Sequence, residues 1–113
     1  MNDRHTVIQS VLAESNEDFV GLWLLVRRMR EEFLDRSHIR DLVLSALEVL
    51  LSEYGLLIGD FKQDEFLPWR CTPSEAVNRV DTEWQSLGRD PDVGEIAWLV
   101  SPNSQNDNVA SSS

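Results

Sequence analysis

In the first half of the chain the apolar positions recur at three- and four-residue steps. Val7, Ile8, Val11 and Leu12 share one face of a short helix over 5–14. Ser15 and Asn16 follow with oxygens suited to capping a second helix, and Glu17 and Asp18 sit where carboxylates favour the positive end of its dipole. The stripe Phe19, Leu22, Trp23, Val26, Met29 and Phe33 predicts that helix, with Trp23 on its core side. Asp35, Arg36 and Ser37 break the pattern. Ser37 then caps a third helix, over 38–54, whose stripe is Ile39, Leu42, Val43, Ala46, Leu47, Leu50, Leu51 and Tyr54, and Gly55 stands where a left-handed residue ends a helix.

Beyond Gly55 the period changes. Leu56, Leu57 and Ile58 are a short continuous apolar run, which predicts a strand over 56–61, and Lys62–Arg70 reads as a loop whose Phe66, Leu67 and Trp69 cover the core from outside. Thr72, Pro73, Ser74 and Glu75 are the strongest local signal. Thr72 is an N-cap, Pro73 fits the first helical position, and Glu75 closes a capping box. The helix that follows turns Ala76, Val77, Val80, Trp84 and Leu87 inward and stops at Gly88. From Glu95 to Val100 the pattern alternates, placing Ile96, Trp98 and Val100 on one side of a strand expected to pair with 56–61.

The order helix-helix-helix-strand-helix-strand predicts an α+β fold, mainly helical and winged-helix-like, with a small antiparallel strand pair. In that analogy 38–54 takes the place of the recognition helix and a further helix is inserted in the wing. The expected organisation is one domain over 1–100 and a disordered polar tail over 101–113, because 113 residues support one core and the tail offers almost nothing apolar. MNDRHTVIQS contains no apolar segment leading to a cleavage site, and no apolar run is long enough to span a bilayer, so the expected location is the cytoplasm. A lone Cys71 excludes an intrachain disulfide and any site needing several cysteines.

Charge sharpens the picture because it is uneven. Residues 1–40 carry six basic and seven acidic side chains and residues 41–113 carry four and thirteen, so −9 of the net −10 falls in the second part. Such a surface repels nucleic-acid phosphates and attracts basic partners. The only basic concentration is Arg27, Arg28, Arg30, Arg36 and Arg40, and Glu31, Glu32, Asp35 and Asp41 lie among these at pairing distances along a helix.

Candidates for catalysis are sparse. A nucleophilic site needs a Cys or Ser beside an oriented His, and nothing ties His5 or the exposed His38 to Cys71. Asp60, Asp64, Glu65 and Glu95 could gather around the strand pair, but their spacing matches no calcium loop. Gly55 and Gly59 lack the remaining elements of a phosphate loop. No enzyme, metal or cofactor is therefore expected. Of the four tryptophans, Trp23 and Trp84 fit helix stripes, whereas Trp69 and Trp98 are candidates for partner contact.

From Gly59-Asp60 through Phe66, Trp69, Glu75, Val80, Trp84 and Gly88-Arg89-Asp90-Pro91 to Gly94-Glu95-Ile96-Ala97-Trp98, about half the chain resembles the carboxy-terminal half of small bacterial proteins. Some of those are encoded as immunity partners of toxins, and the resemblance implies that class of role without assigning a site. The leading expectation is a non-enzymatic immunity or inhibitor-type module that meets a basic protein through Asp60, Asp64, Glu65, Trp69, Asp90, Asp92 and Glu95. The alternative is a winged-helix-like DNA-binding regulator using the five arginines, which requires them to line one exposed face clear of carboxylates. A third reading, a small carboxylate enzyme, requires a pocket holding at least two of the acidic groups.

Overall fold

The computed structural model describes residues 4–33 and 38–102. Its elements are α1 (Arg4–Ser15), β1 (Val20–Gly21), α2 (Leu22–Glu32), α3 (Ile39–Ser52), β2 (Leu57–Lys62), β3 (Glu65–Pro68), α4 (Pro73–Leu87) and β4 (Trp98–Val100). The fold is α+β and mainly helical, and the strand pair is the centre of a larger antiparallel sheet ordered β1-β4-β2-β3. β2 and β4 pair as Leu57↔Val100, Ile58↔Leu99 and Gly59↔Trp98.

The helices follow their stripes closely. Val7, Ile8 and Val11 of α1, Ile39, Val43, Ala46, Leu47, Leu50 and Leu51 of α3, and Ala76, Val80 and Trp84 of α4 are buried in one cluster. The capping box at Thr72 is complete: Glu75 N–H donates to Thr72 Oγ1 at 3.1 Å and Thr72 N–H to Glu75 Oε1 at 2.9 Å. Gly55 and Gly88 follow their helices at φ of 70° and 71°, a conformation that a Cβ penalises. No helix among the described residues is long and apolar enough to cross a membrane.

Three boundaries differ from the sequence reading. The second helix starts at Leu22, after β1 has formed the pairs Val20↔Leu99 and Gly21↔Trp98 and Leu22 N–H has met Ala97 O at 3.0 Å. Glu17 and Asp18 thus lie outside it, and the Asp18 carboxylate instead accepts the Phe19 N–H at 2.7 Å. In α2 the buried positions are Leu22, Leu25, Val26 and Met29, so Leu25 takes the place expected of Trp23, which is only half-buried.

Ser15 is not a cap for α2. It is the buried last residue of α1, its hydroxyl donating to Leu12 O at 2.9 Å and its carbonyl accepting from Ser101 N–H at 3.1 Å. Ser101 is itself buried, so the folded body runs past the expected boundary at 100, and the remaining tail from 103 lies outside the described residues. Ser37 does too, and His38 occupies the N-cap of α3. The third difference is Lys62–Arg70, expected as a loop, where Glu65–Pro68 form an edge strand paired with β2 through Phe61↔Phe66 and Lys62↔Glu65. Cross-strand partners share a face. Phe61, Phe66 and Trp98 therefore lie on one side of the sheet, and Ile58, Leu99 and Val20 lie on the other, with the helices.

Candidate functional site

The β2–β3 connection is a two-residue loop in which Gln63 and Asp64 both have positive φ, 55° and 65°, the geometry of a type I′ hairpin that matches strand twist. It carries Asp64 and Glu65 outward at the tip, exposed and without an ion-pair partner among the described residues. Leu67, on the same strand as Glu65, is 40% exposed.

Behind the tip the site is rigidly tied to α4. Trp69 Nε1 donates to Asp60 Oδ2 at 2.9 Å, Arg79 lies 3.7 Å from the same oxygen, and its guanidinium carbon stands 3.8 Å from the centre of the Trp69 ring. Arg79 also donates to Glu83 at 2.9 Å, one helical turn on. The cation over the indole and the shared carboxylate lock both aromatic and acidic groups in place, so Asp60 and Trp69 form a fixed base under a projecting hairpin. The sequence reading singled out Asp60 and Trp69 and missed Arg79 and Glu83. Their four-residue spacing was a signal for the second pair, but nothing local pointed to the contact across from β2.

The loop between α4 and β4 is organised around Glu95. Its carboxylate takes two hydrogen bonds from Arg89, at 2.7 and 2.9 Å, and one from Asp92 N–H at 2.8 Å. The Arg89 fork, followed by the Asp92 amide, holds the Glu95 carboxyl down to about 2, and the same fork raises Arg89. Ala97 N–H closes a γ-turn onto Glu95 O at 2.9 Å around Ile96, whose φ of 69° is costly for a β-branched residue. Asp92 accepts the Val93 N–H at 2.8 Å, and Asp90 pairs with Arg30 on α2. Asp60, Asp90, Asp92 and Glu95 therefore all have internal partners, whereas Asp64 and Glu65 do not.

The expected gathering of Asp60, Asp64, Glu65 and Glu95 does not occur, since the first is committed to Trp69 and Arg79 and the last to Arg89. Among the described residues no three His, Cys, Asp or Glu side chains come close enough to hold a metal ion. Cys71 is exposed at the rim of an apolar hollow of about 210 Å³. Of the arginine concentration, Arg27 pairs with Glu31, Arg28 with Glu14, Arg30 with Asp90 and Arg40 with Asp81, and Arg36 lies outside the described residues.

On the sheet face away from the helices, Phe19, Phe61, Phe66 and Trp98 form a small aromatic cluster, with ring centroids 4.5 Å apart for Phe19–Phe61 and 5.4 Å for Phe61–Trp98. Trp98 thus meets Phe61 as part of the fold. No family model, curated protein or solved structure matches the chain.

Proposed function

We propose that this chain is a non-enzymatic, cytoplasmic protein-binding module, an immunity or inhibitor-type partner that meets a basic protein through an acidic surface. The observation that carries the reading is how the charges are used. Arg27, Arg28, Arg30, Arg40, Arg79 and Arg89 are all committed to carboxylates of the same chain. Glu17, Asp41, Glu48, Glu53, Asp64 and Glu65 have no ion-pair partner among the described residues. Arg4, Lys62 and Arg70 are the described cations without a carboxylate partner, so the unpaired charge among the described residues is in acidic excess, and a basic surface approaching it is steered rather than repelled.

Within that surface the hairpin is the preferred contact. Asp64 and Glu65 supply unspent charge, Leu67 supplies apolar area, and Trp69 is held ready by Asp60 and Arg79, so little side-chain entropy remains to be lost on binding. Asp90, Asp92 and Glu95 contribute chiefly by fixing the neighbouring loop. The regulator reading required arginines clear of carboxylates, and the four described members of that concentration are each paired.

The test compares the wild-type chain with the double variant Asp64→Lys, Glu65→Lys in capture from lysate at low and high salt, alongside a DNA mobility shift. The expected result is a basic protein held at low salt by the wild type, released at high salt and lost in the variant, with no DNA shift. Absence of any basic partner, together with a DNA shift lost on Arg27→Glu, Arg28→Glu reversal, overturns the reading.

A further inference from the structure

Across the sheet, Gly21, Trp98, Gly59 and Pro68 are paired neighbours in one row, on the side away from the helical core. A Cβ on Gly21 would stand 2.5 Å from Trp23 Cδ1 and 3.5 Å from Trp98 Cζ3, so the missing side chain is what lets two indoles approach one backbone position. Phe61 meets Phe19 and Trp98 edge-on, at 77° and 87°, and edge-on contact leaves ring faces uncovered that stacking would hide. Phe19, Phe61, Trp98 and Trp23 are all only half-buried. Beside Trp23 lies a hollow of about 310 Å³ walled by Trp23, Val26 and Pro91, and its rim charges are already neutralised, Arg27 by Glu31 and Arg30 by Asp90. At Trp98 the surface continues past Gly94 to Val93, which is 62% exposed.

The charge around these rings has one sign. Glu17 and Asp18 directly precede Phe19, and Asp92 directly precedes Val93, and all three are exposed. Asp18 and Asp92 accept only the N–H groups of Phe19 and Val93, and none of the three has an ion-pair partner among the described residues. Lys62 adjoins Phe61 in sequence but lies on the opposite side of the sheet with its cross-strand partner Glu65. Ring faces and unpaired carboxylates both attract a cation that carries apolar area. The same carboxylates repel a second copy of this chain, whose net charge is −10, and an anionic lipid surface.

We propose that this open face docks an arginine-bearing segment of a basic partner protein. The guanidinium lies over the Phe61 and Trp98 rings toward Glu17 and Asp18, and a neighbouring apolar side chain enters the hollow at Trp23. A planar, weakly hydrated guanidinium stacks on rings better than an ammonium does, which selects arginine over lysine. The inference rests on the protein-binding reading for the class of its partner, and it adds a surface separate from the hairpin.

The probe is a capped Arg-Leu-Arg peptide, titrated at low salt into the ¹⁵N-labelled full chain, with Lys-Leu-Lys, Glu-Leu-Glu and Arg-Ala-Arg peptides in parallel. Saturable shifts are expected at the Trp23 and Trp98 indole N–H resonances, while those of Trp84, in the core, and Trp69, bonded to Asp60, stay in place. The lysine peptide should need a several-fold higher concentration, and the glutamate peptide should give no shift. Glu17→Gln with Asp92→Asn should raise the Arg-Leu-Arg midpoint several-fold at an unchanged unfolding midpoint. Trp23→Ala, at a position outside the buried cluster, should weaken Arg-Leu-Arg and leave Arg-Ala-Arg as it was. No shift at Trp23 and Trp98, equal shifts at all four indoles, or an equal response to the glutamate peptide overturns the proposal. So do shifts of these indoles on raising the chain concentration alone, with a dimer in sedimentation, which assign the face to a second copy. Capture of a basic protein from lysate with silent indoles defeats this inference alone, whereas the peptide response without any captured protein defeats the protein-binding reading and keeps the surface.

Discussion

The two faces of the sheet are built differently. Toward the helices, Val20, Ile58 and Leu99 join a continuous cluster with the inner positions of α1, α2, α3 and α4. On the opposite face, Phe66 is fully buried, but Phe19, Phe61 and Trp98 are only half-buried, and their edge-on contacts hold four rings together without a second helical layer. The difference shows where the protein stores its stability and where it has surface to spare. The helical face is a closed core. The β2–β3 edge and its hairpin stand beyond it, positioned by a few specific contacts.

That contrast breaks most visibly at Trp84. It is 5% exposed in the middle of the cluster, so Trp84→Ala should cost about 3–5 kcal/mol in denaturant unfolding. Phe61→Ala on the other face should cost about 2 kcal/mol, roughly half the value for a fully buried ring, because its ring is partly in solvent. Equal losses at the two positions would mean that the aromatic face is as much a core as the helical one.

Thr72→Ala removes the capping box that starts α4, the helix from which Arg79 reaches Asp60 and Trp69. It should lower stability by about 1 kcal/mol and loosen the Trp69 indole, read as a downfield-to-random shift of its N–H resonance. Survival of the indole hydrogen bond to Asp60 would show that the strand, and not α4, holds that tryptophan.

The smallest effect concerns the α4–β4 loop. The Glu95 carboxyl lies at about 2, below the ordinary Glu value near 4.3, so its contribution is present at neutral pH and is lost as pH falls from about 4 toward 2. Arg89→Gln should return the Glu95 carboxyl toward its ordinary range in an NMR titration and flatten that part of the acid limb of the stability curve. An unchanged Glu95 titration in Arg89→Gln would leave the Asp92 amide as the dominant cause.

Set side by side, the beginnings of α4 and α2 show what was legible in the sequence. At α4 the N-cap, the first-turn proline, the closing glutamate and the terminal glycine all lie within the helix or next to it, and each took the role its residue type dictated. At α2, Ser15, Asn16, Glu17 and Asp18 made an equally plausible local start, yet the helix begins at Leu22 because Val20 and Gly21 found partners in Leu99 and Trp98. β3 was hidden for the same reason: Phe66 and Leu67 next to a proline carry a weak strand signal until β2 supplies the ladder.

The candidate site follows the same division. Asp64, Glu65 and the acidic excess are properties of composition and could be read directly. Which carboxylates remain unspent could not, because Arg30 meets Asp90 and Arg40 meets Asp81 across long stretches of chain. The sequence by itself determined the presence of the helices, the capping box and terminal glycine of α4 and the sign of the surface, since these depend on neighbours within about one helical turn or on a simple sum of charges. The tertiary structure decided the outer strands, the aromatic face and the sorting of ion pairs, because each requires two distant segments to be brought together before either gains anything from the other.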